Sequence, residues 1–289
     1  MQFHLFLPQM RMTMDAIVER AQAAETAGFD GIAFMDHLAP PAAEGHAMFD
    51  AMATAAWVAA DTSTLTIGHL VLCDPFRHPA VLAKDVVTID HASGGRFELG
   101  IGSGSVADEL ARFGVEVQGK RVARLAETLE VLKLLWTGET VDYDGRFHHL
   151  RGALQLPVPT RPIPVLIGGA GPRTMELVAR HADWWNLPGN VADKLAELRP
   201  AAGKARASLQ TIVAYIGDEA RREEVTVTAK RRFGWAASGV AMAIGTGPEL
   251  VEHFSRLEES GVERCYTWFT DFGAVDTIAG FGADVVGRL

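Results

Sequence analysis

The chain has 289 residues, of which 48% are hydrophobic and 22% charged, so it can bury a large core without disulfides or metal ions. Its formal net charge is −9, and no basic run is longer than Lys230-Arg231-Arg232, which argues against nucleic acid or an anionic membrane as a partner. No segment approaches the roughly 20 apolar residues that a membrane span requires.

Apolar, strand-like runs alternate with helix-like runs along the chain. The strand-like runs cover residues 3–7, 31–35, 65–72, 96–101, 165–168, 184–187, 211–216 and 265–269. Several are apolar almost throughout, as strands buried on both faces are. This alternation predicts a parallel sheet, and eight such strands close a (β/α)₈ TIM barrel. We therefore predict a single barrel domain over residues 1–289.

Two helices are marked by their periodicity and by their ends. Residues 121–136 place apolar side chains on one face at helical spacing. Residues 13–27 begin at Thr13, a residue type that caps helix N-termini, and they end before Gly28. Both segments lie between predicted strands, as the barrel requires.

The regular alternation fails in two places. Residues 137–163 are rich in glycine and proline, and within them residues 141–148 predict a small hairpin with Asp144-Gly145 at its turn. We interpret this stretch as an insertion before strand five. Residues 233–247, between strands seven and eight, are irregular as well, and we expect a mobile loop or an extra helix over one mouth of the barrel.

Polar residues and glycines gather after the predicted strands, where the active sites of (β/α)₈ barrels lie. Asp36 and His37 follow strand two. An imidazole at this position can hydrogen-bond a bound ring or move a proton, which makes His37 the leading catalytic candidate and Asp36 its support. The alternative is a histidine that only terminates its strand.

A glycine-rich loop follows strand five and opens a helix. It contains Gly168, Gly169, Ala170, Gly171 and Arg173. Such a loop lets the backbone approach an anion closely, and a helix N-terminus supplies N–H donors and partial positive charge, so we predict a phosphate site. An ordinary β–α turn is the alternative, and the spacing does not match a dinucleotide-binding fingerprint.

Other strand ends supply further candidates for the same mouth of the barrel. Leu72 ends strand three and Cys73 follows it, Gly102 and Ser103 follow strand four, and Asn186 lies at the end of strand six. Cys73 is interpreted as a packing residue rather than a nucleophile, since no basic neighbour is assigned to it that would lower the pKa of its thiol. No histidine or cysteine spacing predicts a metal site.

Three of these segments together resemble the bacterial-luciferase-like superfamily of flavin- and deazaflavin-dependent oxidoreductases. They are Met35-Asp36-His37, the stretch from Arg77 to Gly104, which ends in Ser-Gly-Gly-Arg-Phe-Glu-Leu-Gly-Ile-Gly-Ser-Gly, and the run from Ile167 to Arg173 (Ile-Gly-Gly-Ala-Gly-Pro-Arg). The resemblance implies a TIM barrel with FMN or the deazaflavin coenzyme F-420 at its mouth. It also implies a small organic substrate.

The same resemblance implies roles for individual residues. His37 would act at the cofactor ring, with Asp36 behind it, while Leu72, Cys73, Gly102, Ser103 and Asn186 would lie beside the cofactor. Members that use the deazaflavin commonly have Asp-His at this position, whereas luciferase itself has Glu-His-His. A non-prolyl cis peptide is expected in the segment 72–75, beneath the ring, and a plain turn ended by Pro75 is the alternative.

Two mechanisms stay open within the family. A monooxygenase would use reduced FMN supplied by a separate flavin reductase, and a deazaflavin enzyme would transfer hydride directly. Relatives that oxidise sugar phosphates carry a glutamate in the loop after strand four. Here that loop is Gly102-Ser103-Gly104-Ser105-Val106-Ala107-Asp108-Glu109, so the acid is displaced or absent, and we do not expect sugar-phosphate chemistry.

Two other classes of function compete with a cofactor-dependent enzyme. A cofactor-free aldolase or isomerase could bind a substrate phosphate at Gly168–Arg173, although no strand-end lysine suits a Schiff base. A non-catalytic flavin-binding protein is the other alternative. The sparse cysteines, Cys73 and Cys265, and an N-terminus without a basic region predict a cytoplasmic protein, which we expect to be a homodimer.

Overall fold

A computed structural model describes residues 1–41, 43, 45–116, 120–187, 189–234 and 242–289. Its strands are β1 (Gln2–Phe6), β2 (Gly31–Phe34), β3 (Thr66–His69), β4 (Leu72–Cys73), β5 (Leu99–Gly102), β6 (Val141–Asp144), β7 (His149–Ala153), β8 (Val165–Gly168), β9 (Trp184–Leu187), β10 (Arg206–Tyr215), β11 (Met242–Gly245) and β12 (Arg264–Phe269).

Helices connect these strands and cover the outside of the sheet. They are α1 (Met14–Thr26), α2 (Ala51–Asp61), α3 (Pro79–Ala92), α4 (Ala107–Arg112), α5 (Arg121–Leu135), α6 (Pro172–His181), α7 (Leu195–Leu198), α8 (Arg222–Phe233), α9 (Gly247–Glu259) and α10 (Val275–Asp284). Across the ranges given above, no helix combines the length and the apolarity needed to cross a membrane.

The main sheet closes into the predicted barrel. Its strands are parallel and follow the order β3-β2-β1-β12-β10-β9-β8-β5-β4. A parallel bridge between Ile67 and Phe97 joins β3 to the chain entering β5, with the Ile67 N–H donating to the Arg96 carbonyl oxygen at 2.9 Å. The (β/α)₈ prediction is therefore confirmed.

Several strand boundaries differ from the prediction. The run 65–72 is divided into β3 and β4, and the peptide bond between Leu70 and Val71, which separates them, is cis. The cis bond therefore precedes the segment 72–75, and we had expected it inside that segment. The seventh barrel strand, β10, begins at Arg206 rather than at residue 211, because its first half pairs with β9.

The two irregular stretches have different outcomes. The predicted hairpin is present, with β6 and β7 antiparallel, but its second strand begins at His149, beyond the predicted end at residue 148. The hairpin packs on α5, where the Tyr143 hydroxyl donates to the Glu130 carboxylate at 2.8 Å. For the stretch 233–247 we predicted a loop or a helix. This prediction is wrong at Met242–Gly245, which form the strand β11 and pair with the second half of β10. Residues 235–241 lie outside the described residues.

Inward-facing side chains fill the lower barrel with a charged network. Arg264 donates to the Glu98 carboxylate at 2.7 Å and to the Tyr266 hydroxyl at 3.0 Å, and its guanidinium lies 3.6 Å from the centroid of the Trp184 ring. Arg264 and Glu98 are each 4% exposed. Burial and the Glu98 carboxylate raise the pKa of Tyr266. This buried network fills the interior of the barrel below its mouth.

The buried imidazole of His69 makes the stability of this fold dependent on pH. Burial lowers the pKa of His69 from 6.5 to about 4. Since the unfolded chain then binds this proton more readily than the native chain, the stabilisation is complete above pH 6.5 and is lost as the pH falls toward 4. We expect this group to lower the free energy of unfolding by about 2 kcal/mol between pH 6.5 and 5.

Urea unfolding at both pH values, on the native chain and on His69→Gln, measures this dependence. The variant should lose the part of the pH dependence that His69 supplies. His46→Gln, at an exposed position, is the control and should keep the native pH dependence. The same pH dependence of the free energy of unfolding in the native chain and in His69→Gln would contradict the assignment.

Candidate active site

A cavity of about 460 Å³ lies at the carboxyl ends of the barrel strands. All the candidate residues predicted from the sequence line it except Arg173: Asp36, His37, Leu72, Cys73, Gly102, Ser103, Gly168, Gly169, Ala170, Gly171 and Asn186. The remaining lining residues are Leu70, Val71, Gly104, Ser105, Val106, Glu109, Thr174 and Gln210. Residues at the ends of the predicted strands therefore form most of one surface.

His37 is held at the rim of this cavity by a carboxylate that the sequence analysis missed. Glu109 Oε2 lies 2.8 Å from His37 Nδ1, and Glu109 Oε1 accepts the N–H groups of Leu38 at 2.6 Å and Ala39 at 3.2 Å. Such a carboxylate stabilises the tautomer with its proton on Nδ1, which leaves Nε2 as an acceptor. Among the described residues, Nε2 of His37 has no protein partner.

Glu109 corrects an expectation about the loop after strand four. We expected the acid of that loop to be displaced or absent, but α4 turns the chain back so that Glu109 meets the end of β2. Glu109 is 6% exposed, and its helix is only six residues long. No sequence signal distinguished it from Asp108 beside it, because the contact depends on where α4 packs.

Asp36 has a structural role behind His37. Its carboxylate accepts the backbone N–H of Cys73 at 2.8 Å and pairs with the Arg77 guanidinium at 2.5 and 3.0 Å. Asp36 is 6% exposed. Asp36 thereby links the end of β2 to Cys73 of β4 and to Arg77 in the segment that follows β4.

The floor of the cavity is made by Val71 against glycines. A Cβ atom at Gly102 would lie 2.8 Å from Val71 Cγ2, and one at Gly168 would lie 3.4 Å from Val71 Cγ1. These glycines therefore leave room for the Val71 side chain between β5 and β8. The adjacent Cys73 thiol is buried, and burial together with the Asp36 carboxylate raises its pKa to about 12, which suits packing rather than nucleophilic attack.

The glycine-rich loop opens α6 at the edge of the cavity. Gly171 is the N-cap residue of α6, and no described side chain caps this N-terminus, so its first N–H groups remain available. The loop is held from below, because Trp185 Nε1 donates to the Gly169 carbonyl oxygen at 2.6 Å. Arg173 lies in the first turn of α6 but is exposed and does not line the cavity.

Two amides face the space between the loop and the barrel interior. Asn186 is 7% exposed and accepts a hydrogen bond from Ser208 Oγ at 3.2 Å, while its amide nitrogen has no partner among the described residues. Gln210, on the next barrel strand, lines the same wall. These amides can donate to and accept from a polar ligand that lies along the strand ends.

The chain is similar in sequence to a known protein family and to curated proteins. The family model described as luciferase-like monooxygenase matches residues 1–237. The F420-dependent glucose-6-phosphate dehydrogenase of Gordonia bronchialis is 38% identical over 177 residues, which is 57% of this chain and 49% of that protein. The F420-dependent hydroxymycolic acid dehydrogenase of Mycobacterium tuberculosis is 34% identical over 176 residues, 59% of this chain and 48% of that protein. The chain thus spans about half the length of these curated relatives.

Solved structures share the whole fold at low sequence identity. An F420-dependent secondary alcohol dehydrogenase, in complex with an F420–acetone adduct, superposes with a TM-score of 0.83 at 20% identity and covers 100% of this chain and 99% of its own. The monooxygenase RslO1 from Streptomyces bottropensis gives a TM-score of 0.82 at 19% identity, with 100% and 99% covered. These likenesses concern the architecture of the barrel.

Proposed function

Since the chain belongs to the luciferase-like monooxygenase family, we propose that it is an oxidoreductase that binds a deazaflavin in the cavity and transfers hydride between it and a small organic substrate. The observation that carries the proposal is the pairing of His37 Nδ1 with Glu109 at 2.8 Å, which leaves Nε2 without a protein partner among the described residues, in a side chain that lines the cavity. The relatives named as F420-dependent dehydrogenases favour the deazaflavin over FMN.

The residues of the cavity fit such a cofactor. Its flat ring suits the floor that Val71 makes between Gly102 and Gly168, where neither glycine has a side chain to intrude. Its phosphate suits the uncapped N-terminus of α6, because backbone N–H groups and the helix dipole favour an anion there. A cavity of about 460 Å³ is within the ordinary size of cofactor sites.

The chemistry then divides between the cofactor and the chain. When bound, the deazaflavin ring accepts or returns a hydride. His37 takes the proton of a substrate hydroxyl at Nε2 and returns it in the reverse direction. Glu109 keeps the Nδ1 proton in place and stabilises the imidazolium that forms, while Asp36 and Arg77 hold the strand end that carries His37.

The competing functions make different demands on the same cavity. A Schiff-base aldolase requires a lysine, and the described residues lining the cavity include none. A flavin-binding protein without catalysis does not require a histidine paired with a buried carboxylate. FMN with oxygen chemistry is the remaining alternative within the family, and a direct binding comparison separates it from the deazaflavin.

Titration of the purified protein with the deazaflavin coenzyme and with FMN, followed by ring fluorescence, tests the proposal. We expect saturable binding of the deazaflavin with the higher affinity. Gly171→Glu should weaken it at least tenfold, about 1.4 kcal/mol, because a carboxylate would occupy the anion site at α6. Gly171 has ordinary φ and ψ values of −71° and 148°, so the substitution does not strain the backbone, whereas Gly169 has φ +130°.

Ala274→Glu is the matched control, since it adds the same side chain at the N-cap of α10, another helix whose cap residue makes no side-chain hydrogen bond. It should leave the affinity unchanged. Tighter binding of FMN would favour the monooxygenase alternative. Native affinity in a folded Gly171→Glu protein would reject the phosphate site.

A further inference from the structure

The mouth of the barrel has an apolar side that the proposed cofactor site does not use. Phe6, Ile212 and Trp268 point inward near the carboxyl ends of β1, β10 and β12, and Phe233 and Met242 pack against them. The rings of Phe6 and Trp268 have centroids 5.4 Å apart, and those of Phe233 and Trp268 are 5.0 Å apart. We call these five residues the apolar wall. Trp268 and Met242 are partly buried, so the wall keeps accessible surface.

The apolar wall adjoins the cavity. Gln210 lines the cavity, and Ile212 follows it two positions along β10, so both side chains lie on the same face of the strand. Phe6 belongs to an inner cluster against which Leu70 and Val71 pack, and both of those residues line the cavity. The apolar wall therefore borders the cavity through neighbouring residues that line it.

The charges around this space disfavour an anionic substrate. The described lining of the cavity has the carboxylates of Asp36 and Glu109, and no lysine or arginine. Arg232, beside the wall on α8, donates to the Thr270 carbonyl oxygen at 2.8 Å. The sequence from Phe233 to Thr246 contains no charged residue. A phosphate on the substrate would find no cationic side chain in this lining, and the N-terminus of α6 is assigned to the phosphate of the cofactor.

We propose that the apolar wall receives the hydrocarbon part of a neutral alcohol or its carbonyl partner, and that Trp268 determines this specificity. The inference rests on the proposed function. The alcohol's C–H hydrogen leaves with its electron pair to the deazaflavin ring, and its O–H proton passes to His37 Nε2, so that the carbonyl compound forms. The wall supplies binding energy in proportion to the apolar area that it covers.

Calorimetric binding of 2-octanone and of glucose 6-phosphate, to the cofactor-free protein and to the deazaflavin complex, tests the proposal. We expect 2-octanone to bind and glucose 6-phosphate not to bind. Across a series of 2-alkanols, kcat/KM of the complex should rise by roughly two- to fourfold for each added methylene group. Trp268→Ala should weaken 2-octanone binding at least tenfold, and Trp268→Phe should restore part of it.

Trp57→Ala is the control, because Trp57 is 56% exposed on α2. This variant should bind 2-octanone with native affinity. Ile212→Ala repeats the test if Trp268→Ala does not fold. Binding and oxidation of glucose 6-phosphate, or native ketone affinity in the folded Trp268 and Ile212 variants, would overturn the proposal. Failure of the deazaflavin titration would instead reject the proposed function, while ketone binding to the cofactor-free protein still decides whether the wall binds hydrocarbon.

Discussion

Replacing His37 with alanine is expected to lower the turnover of the deazaflavin-loaded protein by roughly 10²–10⁴, because the substrate's proton would lose its acceptor. Cofactor affinity should change little, since the proposed sites for the phosphate and the ring lie on other elements. Stopped-flow reduction of the bound coenzyme by 2-octanol measures the rate, and ring fluorescence measures the affinity. A fall in affinity with native turnover at saturation would assign His37 to ring positioning instead.

His149→Ala is the matched control, because His149 Nδ1 also pairs with a carboxylate, Asp144 Oδ1, at 2.9 Å, but on the exposed hairpin. Its turnover should be native. Glu109→Gln should fall between the two. The amide oxygen can still accept from His37, but an amide nitrogen would then replace Oε1, the oxygen that accepts from Leu38 and Ala39. Native turnover and native affinity in His37→Ala would return this residue to a structural role.

Removing Glu98 is expected to destabilise the barrel by about 3–5 kcal/mol, the cost of leaving a buried guanidinium without its partner. Arg264 would keep the Tyr266 hydroxyl at 3.0 Å and Gln2 Oε1 at 3.0 Å, but neither group carries a compensating charge. Urea unfolding of Glu98→Ala at pH 7 measures the loss. The double variant Glu98→Leu/Arg264→Met should recover most of it, because an apolar pair needs no charge partner.

Glu263→Ala is the control for this experiment. It breaks the Arg206–Glu263 pair, which has the same 2.7 Å separation but lies at side chains that are 49% and 40% exposed. An exposed pair of this kind contributes about 1 kcal/mol or less, so the variant should unfold close to the native midpoint. A loss from Glu98→Ala as small as the loss from Glu263→Ala would show that the network does not stabilise the barrel.

Much of the fold could be predicted because strand and helix patterns are local. The apolar runs 165–168 and 184–187 coincide with β8 and β9, and Thr13 caps α1, where its side chain accepts the Ala16 N–H at 3.2 Å. The division of 65–72 into two strands was missed, since apolarity continues through the break. β11 was missed because its four residues lie in a stretch rich in glycine and alanine that has no regular strand pattern, and only its pairing with β10 defines it as a strand.

The positions of the candidate site residues follow from the same local logic, whereas their partners do not. A residue just after a barrel strand lies at the mouth whatever the rest of the chain does, so His37, Asn186 and Gly168 could be assigned to that mouth. Arg173 shows the limit of this logic. It directly follows the loop in sequence, but the first turn of α6 directs it away from the cavity.

The sequence by itself determined the order of strands and helices, the mouth of the barrel and the glycine-rich opening of α6, because periodicity and turn chemistry act over a few residues. Only the tertiary structure decided that Glu109 pairs with His37 across 72 positions and that Glu98 pairs with Arg264 across 166. The chain has 36 acidic residues, any of which could pair with a given cation by chemistry alone. Closure of the barrel selects among them, because it brings strands that are distant in sequence into contact and buries a few of their side chains where an unpaired charge is costly.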